Sequence, residues 1–128
     1  MSRNSTRRPT DAELEILLVL WKRGPSTVRQ VHETLAANKQ TSYNTTLKLM
    51  QIMNEKGVVT RDESQRPQVY RTSLPEGPMQ ERLLSDFLAR VFGGSARKLM
   101  AALTATGISQ EELAAIRSLL DTLEEENR

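Results

Sequence analysis

Hydrophobic periodicity changes twice along this chain, and the change narrows the folds open to it. Leu14, Leu17, Leu18 and Trp21 recur at i, i+3, i+4 and i+7, the spacing of an apolar stripe on a helix. Thr10 with Glu13 three residues on makes a capping box at its start, and Asp11 adds charge suited to that end. Gly24-Pro25 ends it. Ser26 is placed to cap a second helix with Val28, Val31 and Leu35 inward. A polar stretch over residues 37–41 precedes a third helix, which begins near Ser42 and reaches Lys56, with Gly57 as stop signal. Thr46, Leu49, Met50 and Met53 form its inward stripe. After Gly57 the period becomes that of strands: Val58-Val59-Thr60-Arg61 and Gln68-Val69-Tyr70-Arg71 flank a polar loop of hairpin length, residues 62–67. Three helices followed by a hairpin is the order of a winged helix-turn-helix.

Pro75, Gly77 and Pro78 read as a linker. Helical spacing then returns in three short segments broken by Gly93-Gly94 and Gly107. The first carries Leu83, Leu84, Phe87, Leu88, Val91 and Phe92. The second carries Leu99, Met100 and Leu103, and the third Leu113, Ile116, Leu119, Leu120 and Leu123. Helices this short do not hide an apolar face alone. A second copy of the chain covers them most economically, and packing back on the front domain is the other solution. The expected fold class is therefore mostly α with a small β-hairpin. It divides into a flexible basic arm over residues 1–9, a winged-helix domain over 10–74 and a helical dimerisation region over 75–128. Leu84, Phe87, Leu88, Val91, Leu99, Leu103, Leu113, Ile116 and Leu120 are the candidate dimer contacts.

Composition removes several function classes. There is no cysteine and one histidine, His32. Disulfides, thiol nucleophiles and thiolate metal sites are excluded together, and one His is too few for a zinc site. We expect no metal and no cofactor. His32 has no orienting acid, because the adjoining Glu33 faces elsewhere on a helix. No phosphate-binding glycine loop or nucleophile elbow is present, so an enzyme is not expected. The longest apolar run, Ile16 to Trp21, is far short of the roughly 20 residues that span a bilayer. The polar, basic start has no apolar stretch after its charges. A cytoplasmic protein is the expectation.

Charge is distributed unevenly. Residues 1–73 hold twelve Lys and Arg against seven Asp and Glu, whereas residues 74–128 hold six against nine. Only the front half suits a polyanion. Between Glu33 and Glu55 there is no carboxylate, and the outer side of the third helix offers Asn44, Thr45, Lys48 and Gln51. That face suits an approach by phosphate, and an ordinary solvated surface is the competing reading. Ser42 stands at the helix start, where free N–H groups favour a phosphate. Asn44 and Gln51 have amides able to pair with adenine edges. Thr45 suits a phosphate or a thymine methyl. Tyr43 suits either a core ring or a phosphate contact through its hydroxyl. Lys48 is the charge aimed at a duplex, and Arg66 stands at the wing tip, with Arg61 and Arg71 supporting the wing. Arg29 and Lys39 are weaker candidates. Double-stranded DNA is the expected partner, and a winged helix used only for protein–protein interaction is the alternative.

Several segments in order resemble one family. They are Glu13-Leu14-Glu15-Ile16-Leu17 through Trp21, Tyr43-Asn44-Thr45-Thr46-Leu47, Glu55-Lys56-Gly57, Arg66 to Arg71, Phe92-Gly93-Gly94-Ser95 and Ser109-Gln110-Glu111-Glu112-Leu113. Over nearly its whole length the chain resembles the BlaI/MecI/CopY group of bacterial repressors, which includes the penicillinase repressor. The resemblance implies a homodimer on a palindromic operator, a third-helix recognition element and a dimer interface in the C-terminal helices. In the penicillinase branch a membrane metalloprotease receptor relieves repression by cutting within those helices, commonly at an Asn-Phe bond. The corresponding place here is Ala102-Leu103, which lacks that signal. The copper branch uses a C-terminal cysteine cluster, absent here. The family's Arg late in the recognition helix is replaced by Ile52.

Overall fold

The structure, a computed structural model, describes residues 8–127. Most of the basic arm expected over residues 1–9, including Arg3 and Arg7, lies outside them. The elements run α1 (Asp11–Arg23), β1 (Ser26–Thr27), α2 (Val28–Ala36), α3 (Tyr43–Glu55), β2 (Val59–Asp62), β3 (Val69–Thr72), α4 (Glu76–Phe92), α5 (Ala96–Ala105) and α6 (Gln110–Glu126). They form two compact units, one reaching Glu81 and one starting at Arg82.

In the front unit the helices begin where local chemistry starts them. Thr10 Oγ1 accepts the Glu13 N–H at 3.2 Å, and Glu13 Oε1 accepts the Thr10 N–H at 3.0 Å, completing the expected capping box. The inward stripe of α1 differs from expectation. Ile16, Leu17, Val19 and Leu20 are buried, whereas Leu18 is 48% exposed. Six apolar residues in succession leave the phase of a stripe open, and α1 is covered from several sides, by α2, α3 and β3.

Ser26 does not cap α2. That role falls to Thr27, which shares a reciprocal capping box with Gln30. Ser26 is wholly buried in β1, its hydroxyl donating to the Gly24 carbonyl at 2.8 Å. The expected hairpin is present as β2 with β3, antiparallel, with Arg61 opposite Tyr70. β1 adds a third strand on the other side of β3, Ser26 opposite Tyr70, giving the order β1-β3-β2.

The core gathers Ile16, Leu17 and Leu20 of α1, Val31 of α2, Met50 and Met53 of α3, and Val59 and Tyr70 of the sheet. Each such burial stabilises by about 1.5–3 kcal/mol. Gly57, at φ 82°, turns the chain out of α3 into β2 in a conformation that side chains with a Cβ disfavour. Trp21 Nε1 donates to the Leu74 carbonyl at 2.8 Å, securing the segment after β3.

No linker separates the sheet from the next helix. Pro75 is followed directly by α4, with Gly77 and Pro78 in its first turn. A helix's first turn has no intrahelical partner for its N–H groups, so proline there costs no hydrogen bond. In the rear unit, Gly93-Gly94 and Gly107 fall between helices, as expected. Ser95 caps α5 and Ser109 caps α6, each accepting the N–H three residues on. Neither α5 nor α6 contains a buried residue. Among the described residues, no helix is long and apolar enough to cross a membrane.

Candidate nucleic-acid interface

α3 is built from its cap outward. Ser42 Oγ accepts the Thr45 N–H at 3.1 Å and lies 2.8 Å from Thr45 Oγ1. The hydroxyls of Ser42 and Thr45 thus occupy each other at the helix start. Thr46, Met50 and Met53 are buried on the inner side, and Leu49 is partly buried. That fixes the helix's rotation and leaves Asn44, Thr45, Lys48 and Gln51 all exposed on the outer side. Ile52 is partly buried and offers no charge there.

Beside α3, a recess of about 460 Å³ opens between the start of α2, the first turns of α3 and the residues leading into β3. Arg29, Gln30, Tyr43, Gln51, Gln68 and Tyr70 are among its lining. The structure thus brings Arg29, Tyr43 and Gln51 to one surface and adds two amides that sequence reasoning misses. Gln68 carries only the signal of a strand residue, and Gln30 is also the reciprocal partner in the α2 cap. Neither has a periodic signal that would single it out.

Lys48, Arg66 and Arg29 make no ion pair among the described residues, whereas Lys39 pairs with Glu15 at 2.8 Å. Lys39 therefore has a competing partner within the fold, although an exposed pair of this kind is worth at most about 1 kcal/mol.

The wing is organised by its own polar groups. Asp62 accepts from the Ser64 N–H at 3.0 Å, the Ser64 hydroxyl and Gln65 Nε2. The Ser64 hydroxyl, then Gln65 and the Ser64 N–H, lower its carboxyl to about 2. This turn supports the exposed tip at Arg66. Arg61 is bound to Tyr70 and Glu63, which raise its already high value further, and its N–H donates to Asn54 Oδ1 of α3 at 3.2 Å. The sheet is thereby hydrogen-bonded to α3, and Arg66 stands on the loop between its two longer strands. The chemistry displayed is cationic and amide-rich, the kind of groups that can pair with phosphates and base edges.

A family model described as penicillinase repressor matches residues 9–122. The chain belongs to the penicillinase repressor family. It is accordingly a DNA-binding transcriptional repressor of that family. It is 29% identical over 115 residues to the transcriptional regulator BlaI of two strains of Mycobacterium tuberculosis, covering 89% of this chain and 83% of theirs. Among solved structures, one described as reduced AbfR bound to DNA matches with a TM-score of 0.48 at 22% identity, over 77% of this chain and 71% of that one.

Proposed function

We propose that this repressor acts as a homodimer on a palindromic operator, each copy placing α3 in the major groove of one half-site. The observation that carries the reading is the outer face of α3. Asn44, Thr45, Lys48 and Gln51 are all exposed above a buried Thr46, Met50 and Met53, with no carboxylate between Glu33 and Glu55. Asn44 and Gln51 read base edges. Lys48, Arg29, Lys39, the α3 start at Ser42 and Thr45, and Arg66 on the wing hold phosphates. Helix N-termini and cations fix register in this way, and amides supply the sequence discrimination.

The rear unit supplies the dimer seam. Leu84, Phe87, Val91, Leu103, Leu119, Leu120 and Leu123 are all exposed within one chain. Leu88, Leu99, Leu113 and Ile116 are partly covered and complete the same apolar faces. A seam of this composition is what a second copy would bury. The protein is read as a non-enzyme working in the cytoplasm, where the DNA is. Relief of repression follows from cutting α5 at or near Ala102 and Leu103, by a route that begins at a membrane metalloprotease receptor. Removing α6 from the seam would weaken association, and operator occupancy would fall by mass action.

Hydroxyl-radical footprinting on DNA upstream of the chain's own gene tests the reading. Two protected half-sites about one helical turn apart, or a multiple of it, are expected. Protection of one site only, or none, overturns it. Mass spectrometry during derepression tests the cleavage step, which an intact chain throughout would rule out.

A further inference from the structure

Arg29 is exposed in the first turn of α2, and no carboxylate pairs with it among the described residues. A long side chain in that position ordinarily keeps its rotamer freedom and loses it when a ligand holds it. Here the guanidinium carbon lies 5.1 Å from the centroid of the Tyr43 ring, within cation–π range. The Tyr43 ring in turn meets His32 edge to face, with centroids 5.9 Å apart and planes at 83°. His32 Nδ1 is buried and makes no hydrogen bond among the described residues, and the ring contact with Tyr43 reaches α3. Tyr43 is the first residue of α3, directly after the Ser42 cap. The three groups therefore join the start of α2 to the start of the recognition helix.

We propose that His32, Tyr43 and Arg29 form a stack that holds the Arg29 guanidinium ready for a DNA phosphate at the rim of the recess beside α3. Tyr43 and His32 act in it as positioning residues. The proposal rests on α3 being the DNA-facing helix. A guanidinium that stacks through its face leaves its in-plane N–H donors free, and that fork matches the oxygens of a phosphate. Glu33, one turn further along α2, also lines the recess. Its carboxylate disfavours a phosphate at its own position, which leaves the Arg29 end for the contact. Because Tyr43 serves through its ring, its hydroxyl is dispensable. Because the stack bridges α2 and α3, the backbone contact and the base-reading face of α3 share one register.

The test is a double-mutant cycle on the full-length protein with an operator duplex, read as affinity against salt. Arg29→Ala lowers the salt slope by about one per half-site, hence about two for a dimer. In a Tyr43→Leu background, adding Arg29→Ala changes affinity by no more than about twofold, because the guanidinium has already lost its platform. Tyr43→Phe keeps wild-type affinity and slope. Additive losses in the cycle overturn the stack, and so does a Tyr43→Phe loss as large as that of Tyr43→Leu. Should Tyr43→Leu fail to fold by circular dichroism, His32→Ala takes its place in the cycle, and additivity there overturns the proposal equally. A wild type that shows no salt-dependent binding overturns the DNA-facing reading of α3 itself. An additive cycle on a wild type that binds removes the stack alone.

Discussion

Glu13 stands in the first turn of α1 with its carboxylate 2.8 Å from Lys56 Nζ at the end of α3, so a single ion pair joins the two helices. The carboxylate is almost fully buried. Burial pushes it up, but the Lys56 ammonium and the Thr10 N–H outweigh that and hold it below the ordinary carboxylate value. A depressed carboxyl contributes stability that is fully present above its unfolded value, about 4.3, and is lost as pH falls through the lower folded value. Glu13→Gln therefore flattens the fall in urea midpoint between neutral pH and pH 3. At neutral pH it costs about 1–3 kcal/mol, because Lys56 is left partly buried without its partner. An unchanged pH profile in the variant would contradict this. Asp62 behaves differently, since its carboxyl titrates at about 2.

At the scale of elements, α3 and the wing display the exposed cations Lys48 and Arg66 that the proposed interface assigns to DNA. Lys48→Ala and Arg66→Ala should each lower the salt slope by about one per half-site with little change in thermal midpoint, because both side chains are exposed. Met50→Ala should do the reverse: its side chain is wholly buried, so it loses about 2–5 kcal/mol of stability whatever the salt. A Lys48→Ala protein with an unchanged slope would remove that residue from the interface. Much of this architecture is legible in the sequence, because caps and periods are local. The Thr10–Glu13 box, the Ser42 start of α3 and the switch to strands after Gly57 all lie within a few residues of sequence. The features that escape such reading are tertiary or too short to be periodic. β1 is two residues long and exists because Tyr70 and Val69 pair with it. The Lys39–Glu15 pair ties the loop after α2 to α1, the Tyr43–His32 contact ties α3 to α2, and no spacing announces either. Pro78 reads as punctuation in the sequence, yet a helix's first turn admits proline as readily as a loop does.

The whole molecule combines a front unit with a buried core and a rear unit whose helices α5 and α6 contain no fully buried residue within one chain. Such an arrangement predicts concentration-dependent association. Leu120→Glu or Leu103→Glu should shift sedimentation from dimer towards monomer at micromolar concentration while leaving the front unit folded. A wild type that sediments as a monomer there would contradict the seam. The fold also fixes where an isolated front unit can be cut. Leu74 accepts the Trp21 indole bond and Met79 is buried, so truncation after Glu81 preserves what truncation after Thr72 would strip away. That fragment should bind DNA far more weakly than the full chain, having lost the avidity of two linked half-sites.

The proposal that an acid-free face of α3 meets DNA phosphates in two copies at once is tested most directly by the slope of log affinity against log salt, measured for the full-length protein on a palindromic duplex. Roughly 6–10 neutralised phosphates predict a slope of about −5 to −9, a loss of about 10³–10⁵ in affinity between 50 and 200 mM salt. A slope near zero would contradict the account.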